Sequence, residues 1–131
     1  MKKIIGLMAF VAMTVIFSSC EKDPCYVGNW TMSNPPWILG TNVTIEKNGT
    51  GTMVISNPSC SGNDMTRRYT FTYTYNDNVM AIAVSTQGKD CGNNVTFSGN
   101  DALTGITGTL TCNDNTMSLV SSTYNYNFTR N

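Results

Sequence analysis

From Tyr26 onward the chain alternates, and this alternation constrains its fold more than any other feature. Tyr69, Phe71, Tyr73 and Tyr75 share one parity, while Thr70, Thr72 and Thr74 take the other. Near the end, Tyr124, Tyr126, Phe128 and Arg130 alternate with Asn125, Asn127 and Thr129. A period of two puts successive side chains on opposite faces of a strand, and a helix cannot reproduce it. The same apolar parity recurs at Tyr26, Gly28, Trp30 and Met32, then at Val43 and Ile45, and at Met53 and Ile55. It continues through Met80, Ile82 and Val84, Val95 and Phe97, Ile106, Gly108 and Leu110, and Met117 and Leu119. No stretch after Cys20 carries a helical period. The expected fold is all-β, an antiparallel meander of about eight to nine strands. Each hairpin has one apolar face to bury, and an uninterrupted meander does this most simply by closing into an up-and-down barrel.

The turns fix a first register. Tyr75-Asn76-Asp77-Asn78 fits a two-residue loop pairing residues 75 and 78, which sets Tyr73 opposite Met80 and Phe71 opposite Ile82. In Lys47-Asn48-Gly49-Thr50-Gly51 a three-residue loop pairing 47 with 51 keeps the faces unmixed. It sets Ile45 opposite Met53 and Val43 opposite Ile55, with Gly49 left-handed. Asn113-Asp114-Asn115 turns a later pair. The longer connections, 33–40, 57–66 and 87–94, fall at one end of the barrel by hairpin alternation. That elaborated end is where a binding mouth is expected.

Composition supports this reading and excludes several functions. Nineteen threonines and sixteen asparagines supply most of the polarity. Threonine packs well on a pleated surface, and asparagine suits tight turns. Histidine is absent. That removes the usual general base, the commonest metal ligand and the Ser/His and Cys/His pairs. Asp64, Asp90, Asp101 and Asp114 fall in expected turns rather than as a catalytic pair. Neither an enzyme, a cofactor nor a metal site is expected.

The first twenty residues read as an export signal. Met1-Lys2-Lys3 is a charged start, Ile4 to Phe17 is apolar, and Ser18-Ser19 precede Cys20. The apolar run is shorter than the roughly 20 residues that span a bilayer. The segment resembles a bacterial lipoprotein signal, which implies cleavage before Cys20 and lipid on its sulfur. The expected organisation is then a signal peptide over 1–19, a lipidated cysteine with a short linker over 20–24, and a barrel over 25–131. The expected location is the cell envelope, at the outer membrane of a Gram-negative bacterium. Beyond Cys20 there are six basic and eight acidic residues, a net charge of −2. No basic stripe exists to neutralise phosphates, so nucleic acid is not an expected partner. Glu21 to Pro24 reach roughly 14 Å when extended, which holds the domain near its bilayer.

Cys25, Cys60, Cys91 and Cys112 make an even set in an exported domain, the pattern of two disulfides. One arrangement is Cys91–Cys112 across neighbouring strands with Cys25–Cys60. The other is Cys60–Cys91, stapling two long loops at one end, with Cys25–Cys112 closing the domain.

Gly28-Asn29-Trp30 on the first strand is a G-x-W, and the last strand ends in an inward Arg130. With a meander of about eight strands, these resemble the lipocalin-like (calycin-type) barrels. The resemblance spans roughly residues 26–131 and extends to small bacterial lipoproteins of that type. It implies that Trp30 plugs the closed end and Arg130 packs across it, a cation–π contact.

The resemblance implies non-catalytic binding of a small apolar or amphipathic ligand. The interior parity offers Tyr69, Phe71, Tyr73, Met80, Tyr124 and Tyr126 as its lining. An alternative is a filled barrel acting as a protein-interaction or inhibitor module, for example of the lysozyme-inhibitor kind. Such a module would work through loops 34–39 and 57–66. Trp37, Ile38 and Leu39, stiffened by Pro35 and Pro36, would form a lid or partner anchor. Arg67 points inward by parity and would either meet a ligand carboxylate or stand in solvent. The expected partners are therefore the bilayer, a small apolar ligand or a neighbouring surface protein.

Overall fold

A computed structural model describes residues 22–34 and 40–131. The signal reading, Cys20 and the Trp37-Ile38-Leu39 loop lie outside the described residues. Nine strands follow in order: β1 (Gly28–Asn34), β2 (Asn42–Ile45), β3 (Thr50–Ser56), β4 (Thr66–Asn76), β5 (Val79–Asp90), β6 (Asn93–Thr96), β7 (Ile106–Cys112), β8 (Thr116–Ser121) and β9 (Asn125–Arg130). Among the described residues there is no α-helix, only a 3-10 turn at Gly99–Asp101.

All pairings are antiparallel. The sheet runs β4-β3-β2-β1-β9-β8-β7-β5-β6, and a further β4–β5 pairing closes it. Eight strands thus form the barrel expected from the alternation. The ninth, β6, hydrogen-bonds to β5 and to no other described strand.

A disruption in β5 explains this extra strand. Tyr69 lies opposite Gly88, but Phe71 lies opposite Val84, so β5 carries two surplus residues at that point. Surplus residues bend a strand away from its ladder. Below the bend β5 pairs with β7, Val79 to Thr109 through Ile82 to Ile106. Above it β5 pairs with β6, Gln87 to Thr96 through Asp90 to Asn93. Residues 87–94 are therefore a hairpin and not the long connection expected from sequence. Its turn is Cys91-Gly92, both at positive φ.

Two turn registers also differ from expectation. Asn76 pairs with Val79, so the two-residue loop is Asp77-Asn78. Both residues have positive φ, 49° and 63°, the geometry hairpin twist favours. Tyr73 consequently meets Ile82 rather than Met80, and Phe71 meets Val84. In the β2–β3 hairpin the loop has three residues and Gly49 is left-handed at φ 87°, as expected. It lies one residue earlier, because the Glu46 amide donates to the Thr50 carbonyl. Ile45 then faces Gly51, and Val43 faces Met53. Both shifts move the pairing by two positions, which leaves every side chain on its expected face.

Gly51 is where the interior demands glycine. A Cβ there would collide with the Phe71 ring and come within 2.5 Å of the Thr44 carbonyl oxygen. The ring fills that gap. Trp30, Met32, Val43, Ile45, Phe71, Met80, Leu110, Met117, Leu119 and Phe128 are all buried in one cluster. The space left among them is about 20 Å³, room for little more than a water molecule. The barrel is a packed core.

Candidate functional site

The two ends of the barrel differ. At one end the hairpin loops 47–49, 77–78 and 113–115 are tight, and the N-terminal stretch crosses them. Trp30 is fully buried there, and its indole N–H donates to the Tyr26 carbonyl at 2.9 Å. The Arg130 guanidinium lies 4.2 Å from the indole centroid. It donates to the carbonyls of Asp114, Val27 and Cys25. Cys25–Cys112 bonds the N-terminal stretch to β7. Lys22 pairs with Asp114, and Lys47 with Asp23.

Among the described residues the other end is open. There the chain enters β2, β4 and β9 and leaves β1, β3 and β8, and the segment 97–105 descends from β6 to β7. A cleft of about 510 Å³ opens at this mouth. Its apolar floor includes Met32, Met53, Ile55, Val84, Ile106 and Tyr126. Leu103 and Gly105 come from the descending segment, and the rest of the lining is Thr104, Thr107, Ser121, Ser122, Thr123 and Tyr124. None of these lining side chains is ionisable near neutral pH. The volume falls in the ~300–1,000 Å³ range of small-molecule sites.

The structure separates the six tyrosine, phenylalanine and methionine residues expected to line a ligand. Phe71 and Met80 lie in the packed interior, 3 % and 1 % exposed. Tyr73 sits near the closed end, edge-on to Tyr26, with its hydroxyl on the Glu46 carbonyl. Tyr69 is buried against Phe97, ring centroids 4.3 Å apart. Burial pushes its hydroxyl above the usual tyrosine range, and it donates to the Asp101 carbonyl at 2.7 Å. Only Tyr124 and Tyr126 reach the cleft. Tyr124 is 45 % exposed and belongs to the rim rather than the interior, because it precedes β9 and stands above the barrel wall. Tyr75, in the same inward parity, is also exposed, since β4 runs past the closed end.

Arg67 does not stand in solvent. Its terminal nitrogens bond Asp90 at 3.0 Å and Asp101 at 2.7 Å. Phe97 packs against the same guanidinium, whose carbon lies 5.7 Å from the ring centroid. The hydrogen bond from Arg67, with a second from Asn57, holds the Asp90 carboxyl below its usual range. Asp101 lies two residues before Leu103, so the pair also fastens the segment that walls the cleft. The Arg67 Nε and the buried Thr41 hydroxyl have no partner among the described residues. Thr41 lies beside Met32, whose amide donates to its carbonyl.

Cys60–Cys91 ties the 57–65 connection to the β5–β6 turn. Of the two pairings open from sequence, the structure therefore holds Cys60–Cys91 with Cys25–Cys112. Cys60, Cys91 and Asp90 cluster closely enough to share an ion. With both sulfurs in a disulfide, the thiolates a metal would need are absent.

Periodicity could not have disclosed the cleft. Most of its wall comes from 103–107 and 121–124, which straddle strand ends and connections. The one sequence signal was that the long connections gather at a single end. No protein-family model, curated protein or solved structure matches the chain.

Proposed function

We propose that the protein is a lipid-anchored, non-catalytic binding protein of the bacterial cell envelope, holding a small apolar or amphipathic ligand in the mouth of its barrel. The supporting observation is the open apolar cleft of about 510 Å³ above an interior with about 20 Å³ free. The ligand site is thus the mouth, not the barrel axis. The eight-stranded barrel and the Trp30–Arg130 plug agree with a lipocalin-like origin. Lipidation at Cys20 fits the geometry of the closed end. Lys22 is held on Asp114 there, so an anchor two residues upstream would turn the cleft away from its own bilayer.

The packed interior also favours a second reading, a protein-interaction or inhibitor module working through the loops at the mouth. One experiment separates the two. The soluble Cys20→Ser protein, expressed without its signal, is titrated with the neutral apolar dye N-phenyl-1-naphthylamine. The expected result is saturable fluorescence enhancement, lost in Thr104→Trp and in Val84→Trp, which fill the cleft. A protein that is folded but silent to the dye would leave the interaction module. Mass spectrometry of the full chain expressed in bacteria tests the anchor. The expected mass is that of a chain starting at Cys20 with acyl chains attached, and an unmodified Cys20 would refute it.

A further inference from the structure

The chemistry of the mouth specifies the head of the ligand. Resting on the ligand-binding reading above, we propose that the cleft takes an amphiphile with an uncharged, hydroxyl- or ester-bearing head and discriminates against fatty carboxylates. The floor of Met32, Ile55, Val84 and Ile106 suits an alkyl chain. The wall offers Thr104, Ser122 and Thr123, residues whose neutral hydroxyls both donate and accept. A hydroxylated head matches such a wall, whereas an ion brought against it would lose water without a counter-charge.

Arg67 is the cation through which a carboxylate would otherwise be held. It lies opposite Ile55, a residue of the cleft floor. Both of its terminal nitrogens are already on carboxylates, Asp90 and Asp101. One guanidinium facing two carboxylates leaves no net positive charge to offer. The nearby Arg68 is turned to Asp64 and lies on the outward face. A cationic head fares no better, because Asp90 already accepts from Arg67 and Asn57.

The test uses three ten-carbon probes: monodecanoylglycerol, decanoate and decyltrimethylammonium. Each displaces N-phenyl-1-naphthylamine from the Cys20→Ser protein at concentrations below micelle formation. The glycerol ester is expected to displace at least tenfold more tightly than either ion. A neutral head also partitions better into any apolar site, so this ratio alone does not identify the determinant. Asp101→Asn does. It leaves one terminal nitrogen of Arg67 without its carboxylate, and the preference over decanoate is expected to fall at least threefold. Raised salt should reverse that gain, as for any exposed ion pair. An unchanged ratio in Asp101→Asn overturns the proposal, as does decanoate binding equal to or tighter than the ester. Absence of dye binding would instead remove the ligand reading beneath it.

Discussion

Arg130 is clamped over the Trp30 indole at 4.2 Å by three backbone carbonyls that come from two segments far apart in the chain. Val27 and Cys25 lie before β1, and Asp114 lies in the β7–β8 turn. One side chain thus joins the first strand, the last strand and a hairpin loop at the closed end. Replacing Arg130 with alanine removes the cation–π contact and frees three carbonyls. We expect a loss of about 2–4 kcal/mol, since hydrogen bonds to charged groups contribute ~1.5–3 kcal/mol and a desolvated cation–π pair about 2. Arg130→Lys should recover less than half, because a single ammonium cannot span the same fork. Urea unfolding midpoints check both. A loss below 0.5 kcal/mol in the alanine variant would show the clamp to be decorative.

The two disulfides should differ in worth. Cys25–Cys112 closes a separation of 87 residues and Cys60–Cys91 one of 31. Chain entropy assigns them roughly 4.6 and 3.7 kcal/mol. The Cys25→Ser/Cys112→Ser protein should therefore unfold at lower urea than Cys60→Ser/Cys91→Ser. Because Cys60–Cys91 lies at the mouth, only its removal should weaken dye binding. The reverse ranking of midpoints would mean that native contacts, not loop closure, set the difference.

The face of each residue was legible in the sequence, and its partner was not. Alternation put Trp30, Met53, Phe71 and Leu119 inside, and all four are buried. The same alternation cannot tell whether Ile45 faces Gly51 or Met53, because both are interior choices. Strand ends failed for a related reason. Tyr75 and Tyr124 keep the inward parity, yet they lie at the rims of the barrel and stay partly exposed. Arg67 was readable as inward, but its partners Asp90 and Asp101 looked like turn residues. The bend in β5 that brings Asp90 across from Arg67 leaves no periodic trace. Gly88 is its nearest signal, since a Cβ there would strike the Phe97 ring and the Arg68 carbonyl.

The Arg67–Asp90 pair makes a directional pH prediction. Asp90 titrates below its ordinary value when folded, chiefly through the hydrogen bond from Arg67. A depressed carboxyl contributes stability that is complete above its unfolded value, ~3.9. That contribution is lost as pH falls through the folded value. Wild-type protein should therefore lose more stability between pH 5 and pH 2 than Asp90→Asn does, although the variant is less stable at pH 7. Urea midpoints across that range decide it, and parallel acid curves would remove Asp90 from the account.

Met80 tests whether the interior is packed. It is 1 % exposed, and its side chain borders the small void among Val43, Ile45, Phe71, Leu110 and Phe128. β5 holds it opposite Tyr75 on one side and Gly108 on the other. Gly108 cannot grow toward a void, because a Cβ there would lie 2.6 Å from the Val120 carbonyl oxygen. The neighbouring strands are locked in a closed sheet and cannot collapse far. Met80→Ala should then cost about 3–5 kcal/mol, the upper part of the usual range for such truncations. An apolar cavity of that kind stays dry and accepts small apolar guests. Benzene should accordingly raise the melting temperature of Met80→Ala and leave wild type unchanged. A cost below 1 kcal/mol, or benzene binding by wild type, would show that the barrel axis is open, and the ligand site would then move from the mouth into the barrel.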